Sequence, residues 1–394
     1  MLQLGSLYCN QSDIDAAIGA GGVVTEGNVW YYDGTRVYDQ VAGYTGDPSW
    51  YTCAGYVNQD YKAWVLALTA GVSWPVGALN GWRIFPHGLL MEYQRTGDSA
   101  SLQALSNLAN YSAFAGSGGG APCDVSRETA YIIDAYLAAG DAGQPVNPLL
   151  ATAVNYAIGH IDQWFTSRTC GNTQPFMVGL TMEALINYYQ HTGDVRIPPQ
   201  VRIAADGLWA TAWIPAGNAF YYESIDVPLV AVADLNLLIA PAYAWLWQQT
   251  GLARYLQEGD QVFAGGVLYG NFYSGKQYSQ NYRWSFDYEK WRSSSPNSPS
   301  VTGTGFLYSR VNGTFNGRLI VTNTGSQAIT GPVLVELTNL PTGVTLSNAT
   351  GTSAGTPFIA VPGAGNLAPG QSVSVNVQFS NPSKGLITFT PIAY

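Results

Sequence analysis

The sequence predicts a mainly α chain followed by an all-β unit: a series of about five to six helical hairpins, then a small β-sandwich. Three observations predict this. A helix ending, Tyr-x-x-Thr-Gly-Asp or a close variant, recurs at Tyr93–Asp98, Tyr136–Asp141 and Tyr189–Asp194, with weaker copies at Tyr44–Asp47 and Trp247–Gly251. The segments before these endings are apolar nearly all round, as in Gln174–Asp194. From about Val301 the apolar pattern changes to period two.

The recurring ending has a mechanical meaning. Gly suits the left-handed residue that closes one helix, and the following Asp caps the start of the next. Each copy is therefore a tight turn between two antiparallel helices. The turn glycines fall at 46, 97, 140, 193 and 251. A hairpin repeat of that size stacks into a solenoid or closes into a ring. Segments apolar on every side, Ile84–Tyr93, Ala130–Leu137, Phe176–Tyr189 and Leu235–Trp247, read as inner helices. The more mixed segments after the turns, such as Ser99–Asn110, read as an outer layer.

With its repeated turn and irregular spacing, the stretch from about residue 30 to 290 resembles the α/α-toroid, or six-hairpin, superfamily of glycosidases and polysaccharide lyases. Five turns are visible, so one hairpin is degenerate or the ring is incomplete. The resemblance implies a carbohydrate-active protein, with a glycoside hydrolase expected before a polysaccharide lyase, and a non-catalytic glycan-binding or cell-surface scaffold as the alternative from outside enzymology.

Along the chain, residues 1–29 read as an irregular, Gly-rich lead-in with one short helical stretch at Ser12–Ile18. Trp30-Tyr-Tyr-Asp33 opens the first hairpin, whose outer helix runs through Tyr56–Leu68. The outer-to-inner connections are long, varied and rich in Gly, Pro and aromatics: Gly71–Gly77, Gly116–Asp124, Cys170–Pro175 and Trp213–Asp226. Long loops on a rigid scaffold are where binding usually resides, so function is expected where the inner helices begin, in the mouth of the ring. After Gly265 helical periodicity fades, and the aromatic-dense Tyr278–Trp291 reads as a closing segment across the ring. The domain division is thus 1–291 for the helical ring, 292–300 for a linker and 301–394 for the sandwich. Gly317–Asn323, Pro332–Thr338 and Val373–Phe379 read as strands among roughly seven, with turns at Asn323-Thr-Gly, Pro341-Thr-Gly and Ala368-Pro-Gly. Leu367–Val377 resembles bacterial immunoglobulin-like domains appended to secreted enzymes and surface proteins; a spacer is favoured over a sugar-binding module, because few aromatics face solvent.

Composition excludes several classes. The chain has 394 residues, 10% charged, with a net charge of −9, which argues against nucleic acid as a partner. No apolar run reaches the ~18 residues needed to cross a bilayer. Four cysteines, Cys9, Cys53, Cys123 and Cys170, lack zinc-ligand spacing. In a Lys-poor, Ser/Thr-rich chain they point to two disulfides and a secreted or cell-surface location. Sequence does not fix the pairing. Cys123 with Cys170 is preferred, both lying just before inner helices, and Cys9 with Cys53 follows by elimination. Without a signal peptide, the chain reads as a mature protein that begins at an introduced Met1. Phosphate-loop, nucleophile-elbow and metalloprotease patterns are missing, so no cofactor and no metal are expected. A monomer is the default, with a poly- or oligosaccharide as partner.

Candidate catalytic residues are Glu128, Asp234, His87 and Arg83. Glu128 falls in the first turn of an inner helix, where it is also a natural helix-dipole or Arg127 partner. Asp234 interrupts an apolar run and so needs a partner or a cavity. Arg83 and His87 are four apart and, with Pro86 suited to a first helical turn, are expected on one helical face, Arg83 to grip a substrate carboxylate and His87 as acid or base. His160 and His191 fall on an outer helix and a turn and are discounted. Sugar stacking is expected on Trp30, Tyr32, Trp74, Trp82, Tyr221 and Tyr222, about half of the mouth aromatics being exposed. Glu223 and Asp226 complete the substrate-binding set from the longest loop. Glu183, mid-helix, points inward or belongs to a buried network.

Overall fold

The structure is a computed structural model that describes residues 1–10, 29–70, 79–294, 296–297, 299–330, 332–353 and 355–394. The stretch Ser12–Ile18 lies outside the described residues. A helix-rich region is followed by antiparallel β-sheets, as the sequence predicts.

The helices are α1 (Leu2–Tyr8), α2 (Gly34–Thr45), α3 (Trp50–Thr69), α4 (Pro86–Thr96), α5 (Ser99–Tyr111), α6 (Ser126–Asp141), α7 (Leu150–Ile161), α8 (Pro175–Thr192), α9 (Ile197–Thr211), α10 (Ala240–Thr250), α11 (Ala253–Tyr269), α12 (Gly275–Tyr282) and α13 (Ser285–Ser293). α2, α4, α6, α8, α10 and α13 touch in that succession, and α3, α5, α7, α9 and α11 pack along them. α13 reaches back to α2 through Arg36–Asp287, 3.1 Å, and through the edge-on ring pair Tyr44–Phe286. The first set is the more buried. In α8 every residue from Pro175 to Ile186 is buried.

The turn chemistry is as expected in four copies. Gly46, Gly97, Gly193 and Gly251 all end their helices with φ between 66° and 74°. Asp98 and Asp194 then accept from the backbone N–H groups of Ala100 and Arg196. The third copy differs. α6 runs through Gly140 to Asp141, and the left-handed glycine is Gly143, φ 80°. Ala138 and Ala139 carry the helix past the expected stop, and Asp141 pairs instead with His191 of the neighbouring turn at 3.0 Å.

A second correction concerns the segment after Gly265. It remains helical: α11 continues to Tyr269, and α12 and α13 follow. The buried positions Trp284, Tyr288 and Trp291 recur at helical spacing, but aromatic rather than aliphatic residues carry them. α13 is thus a sixth member of the inner series, with no turn signature behind it.

The C-terminal region contains eleven strands among the described residues rather than about seven, several only two residues long. After β1 (Trp213–Ile214) and β2 (Ala219–Phe220) in the helical region, these are β3 (Pro299–Gly303), β4 (Leu307–Tyr308), β5 (Phe315–Asn323), β6 (Ile329–Thr330), β7 (Val333–Thr338), β8 (Thr345–Leu346), β9 (Gly351–Ser353), β10 (Thr356–Val361), β11 (Asn366–Leu367), β12 (Ser372–Ser380) and β13 (Thr390–Ala393). One main sheet has the order β13-β7-β10-β9, the other β3-β5-β12-β8 with β4 also paired to β5, and β6 pairs with β11 in a two-stranded sheet. Leu319, Val335, Ile359 and Val377 form part of one core shared by both sheets. β7 is buried on its second face as well. Leu334, Phe358 and Tyr394 join the core of the helical region. Glu336, fully buried, accepts from Arg202 of α9 at 3.0 and 2.7 Å and from the Tyr394 hydroxyl at 2.9 Å. The β unit is therefore docked on α9 across a packed interface.

Two disulfides, Cys9–Cys53 and Cys123–Cys170, tie α1 to α3 and the connection before α6 to that before α8. No described helix is long and apolar enough to cross a membrane.

Candidate active site

The inner helices begin at the long connections, and local chemistry fixes how. Pro86 and Pro175 start α4 and α8, where a missing N–H costs nothing. The free N–H groups of α4 are capped from outside: Asp33 accepts from His87 N and Gly88 N, each at 3.1 Å. To deliver that carboxylate, Tyr32 and Asp33 adopt consecutive left-handed conformations, φ 63° and 66°. Such backbone costs about 1–3 kcal/mol per residue and collects at functional sites. Gly88 leaves the necessary room, since a Cβ there would stand 2.5 Å from Asp33 Oδ1.

Below the helix starts lies a buried charge cluster drawn from every side. Glu183 of α8 accepts from Arg36 Nη1 of α2 at 2.7 Å. Its other oxygen faces Arg283 Nη2, between α12 and α13, at 2.9 Å. Arg36 Nη2 also meets Asp287 of α13. Asp134 of α6 accepts from Asn187 at 2.9 Å. His87 stands between two carboxylates, Nδ1 3.7 Å from Asp33 and Nε2 3.9 Å from Asp134, and keeps a fifth of its side chain exposed.

The electrostatics follow from these neighbours. Burial alone would raise Asp33, but His87, Arg36 and Arg283 outweigh it and hold the carboxyl below its usual range. Glu183 is likewise lowered: burial opposes the charge, and Arg283 and Arg36 overcome it. Asp134 and Asp287 go the other way, because their burial exceeds the help of nearby cations. Glu183 and Asp33 are thus ionised members of the interior, Glu183 paired with two guanidinium groups and Asp33 with the α4 backbone.

Nearer the mouth, Arg127 clamps Glu128 Oε1 with Nε at 3.1 Å and Nη2 at 2.7 Å. Glu128 Oε2 is buried without a hydrogen bond. The turn Gly81–Arg83 presses on this glutamate so closely that a Cβ at Gly81 would lie 2.6 Å from its Cγ. Trp82, exposed, lies under the Arg127 guanidinium at 5.8 Å. Tyr222, also exposed, stacks on Phe176 with centroids 5.6 Å apart. Lys276 sits over the Tyr31 ring at 5.1 Å. Burial, then the neighbouring Tyr31, pushes the Tyr32 hydroxyl well above the usual tyrosine range. A cleft of about 370 Å³ opens beside Tyr222, lined also by Asp234, Lys276, Gln277 and Gln280. There Asp234 Oδ1 accepts from Asn271 N at 2.7 Å, and its carbonyl accepts from Gln280 at 2.6 Å.

The expected residues fall into three groups. Glu128 and Trp82 gather around Arg127 at the start of α6, Tyr222 and Asp234 line the cleft of about 370 Å³, and His87 lies in the first turn of α4 between Asp33 and Asp134. Arg83 is a correction. It belongs to the turn before α4 and is separated from it by extended Ile84 and Phe85, so it shares no helical face with His87. Its carbonyl accepts from Tyr61. The others sit in structural positions or outside the description. Trp30 is packed among Tyr61, Trp64 and Phe85, and Tyr32 and Tyr221 are also buried. Only two of the described mouth aromatics, Trp82 and Tyr222, are exposed, fewer than half. Glu223 braces two loops by accepting from Asn172 and Gln174, and the Asp226 N–H closes a turn on Glu223. Trp74 lies outside the described residues. Among those described, no group of three or more His, Cys, Asp or Glu is disposed to hold a metal ion. Sequence reasoning missed Asp33, Arg36, Asp134, Lys276, Arg283 and Asp287. The signal for Asp134 was present: a lone carboxylate within Tyr131-Ile-Ile-Asp-Ala-Tyr136.

No protein-family model matches this chain, and no curated protein matches it significantly.

Proposed function

We propose that this chain is an exported glycan-acting protein, an α/α toroid carrying an immunoglobulin-like sandwich, that binds an oligosaccharide at the mouth and hydrolyses it. The succession of six inner helices, with α13 meeting α2, supports the toroid, and the two sheets with a common core support the sandwich. What carries the functional reading is the cleft where Tyr222, Asp234, Lys276, Gln277 and Gln280 converge. It combines an exposed ring, a carboxylate and neutral amides, the mixture that recognises hydroxyl-rich ligands. Glu128 supplies the second carboxylate, with Oε2 free of hydrogen bonds. In hydrolysis one carboxyl gives its proton to the leaving glycosidic oxygen, and the other takes a proton from the attacking water or attacks the sugar itself. Trp82 and Tyr222 hold the sugar faces.

The test is a release assay on a broad polysaccharide panel, reading reducing ends and absorbance near 235 nm together. Reducing ends without absorbance are expected, falling about 10²–10⁴-fold in Glu128→Gln and Asp234→Asn with folding unchanged. Full activity in both variants overturns the assignment. Absorbance from the wild type means β-elimination, and transfers the base role to His87 or a mouth tyrosine.

A second reading, a glycan-binding scaffold without turnover, is favoured by one observation: the interior carboxylates Glu183 and Asp33 are already engaged, the first by two guanidinium groups and the second by backbone donors. It predicts retention on one glycan with no product of either kind.

A further inference from the structure

A second cavity lies away from Tyr222 and Asp234. It is a cleft of about 660 Å³ between the turn ends of the helices and the β unit, within the size range of small-molecule sites. Its walls carry Tyr189 and Gln190 from α8, Gln248 and Gln249 from α10, Asn297 after α13, and Gln327 from the β unit. Among the described residues, no charged one lines it. In a chain with 25 acidic and 16 basic residues, five amides gathered around a half-buried tyrosine mark a distinct chemistry.

The cleft exists only because the β unit is docked, so its geometry is fixed by both halves. The Arg202–Glu336 pair anchors that docking, and the Asn297 N–H donates to the Gln248 carbonyl at 2.7 Å. The backbone around the cleft is satisfied while its side chains are held back. Among the described residues, the side-chain amides of Gln190, Asn297 and Gln327 make no hydrogen bond, and Gln248 receives only a long contact of 3.5 Å from Gln249. A side-chain amide both donates and accepts, as a sugar hydroxyl does. A charged ligand would find no counter-charge here and would lose hydration without compensation.

We infer that this interdomain cleft is a second binding site, separate from the mouth, for a neutral polyhydroxylated ligand: an uncharged glycan chain. The β unit then does more than hold the helices in place, since Gln327 supplies one wall of the site.

Affinity electrophoresis of the full chain through gels containing dextran, galactomannan, xyloglucan, alginate, polygalacturonate or gelatin tests this. At least one neutral polysaccharide is expected to retard the wild type. Gln248→Ala/Gln327→Ala should weaken that retardation about tenfold or more, with an unchanged circular dichroism spectrum and Tm. Tyr222→Ala/Lys276→Ala, which cripples the mouth, should still be retarded, and adding the two cleft changes to it should remove that remaining retardation. Both cleft side chains lie outside the core, so loss of folding does not confuse the result. Retardation by acidic polymers or gelatin alone overturns the inference, as does no retardation by any neutral polymer. Loss in the mouth variant with retention in the cleft variant overturns it too, and assigns the binding to the mouth. Product release by the mouth is read separately, so the two sites stand or fall independently.

Discussion

Replacing Glu183 by Gln isolates the electrostatic core of the helical region. Glu183 is fully buried and holds two guanidinium groups, Arg36 at 2.7 Å and Arg283 at 2.9 Å. Gln keeps the shape and one acceptor but removes the charge, turning a donor toward one of the two arginines. Asp287, about a quarter exposed, is then the remaining counter-charge of Arg36. Each pair at ~4 Å with an effective dielectric near 20 contributes about 4 kcal/mol before desolvation. Breaking a buried pair from one side costs about 3–5 kcal/mol. Thermal unfolding should show a Tm about 5–8 °C lower. The pH dependence has a definite sign. The folded-state carboxyl lies below its ordinary value, so its contribution is present above the unfolded pKa, ~4.3 for Glu, and is lost as pH falls through the folded one. The gap between wild type and Glu183→Gln should therefore close in acid. The triple change Arg36→Met/Glu183→Leu/Arg283→Met should recover most of the loss, since apolar replacement of a buried ionic group is often neutral. A single variant within about 1 kcal/mol of wild type, or a triple variant as weak as the single, refutes the reasoning.

Three further outcomes follow from the packing and charges described above. Burial raises Asp39 to about 6 despite Arg95; a raised carboxyl costs stability as pH rises from ~4 through 6, up to about 3 kcal/mol, so Asp39→Asn should stabilise at pH 8 and not at pH 4, by urea titration. Arg202→Met strands the buried Glu336 and should cost about 3–5 kcal/mol, visible in calorimetry as an earlier transition of the β unit; a single unshifted transition counts against it. Cys123→Ser with Cys170→Ser opens a link spanning 47 residues and should lower stability by about 4 kcal/mol on the chain-entropy scale, measured by guanidinium unfolding; an unchanged midpoint contradicts this.

Much of the scaffold was readable because it rests on local rules. Gly97-Asp98 and Gly193-Asp194 form a stop and a cap within two residues, and period two marks β5 and β12, while β7 reads as a short apolar run. Where local signals compete or change vocabulary, reading failed. Two alanines carried α6 past Gly140, and α13 hid its helical spacing in Trp and Tyr. The site was less legible for a different reason. Arg36, Asp134, Glu183 and Arg283 lie far apart in sequence, and only the closing of the helices brings them together. Arg83 and His87 are close in sequence yet diverge, because the two extended residues between the Gly81–Arg83 turn and Pro86 break the helical register.

β7 is buried on both faces, one in the β core and one against α9. A strand in that position works as a rivet rather than a hinge. Any surface or partner that grips the C-terminal sheets therefore also fixes the heading of the mouth. The helical body cannot swivel on the sheets, so the orientation of the connections that carry Trp82 and Tyr222 is set wherever the sheets are held.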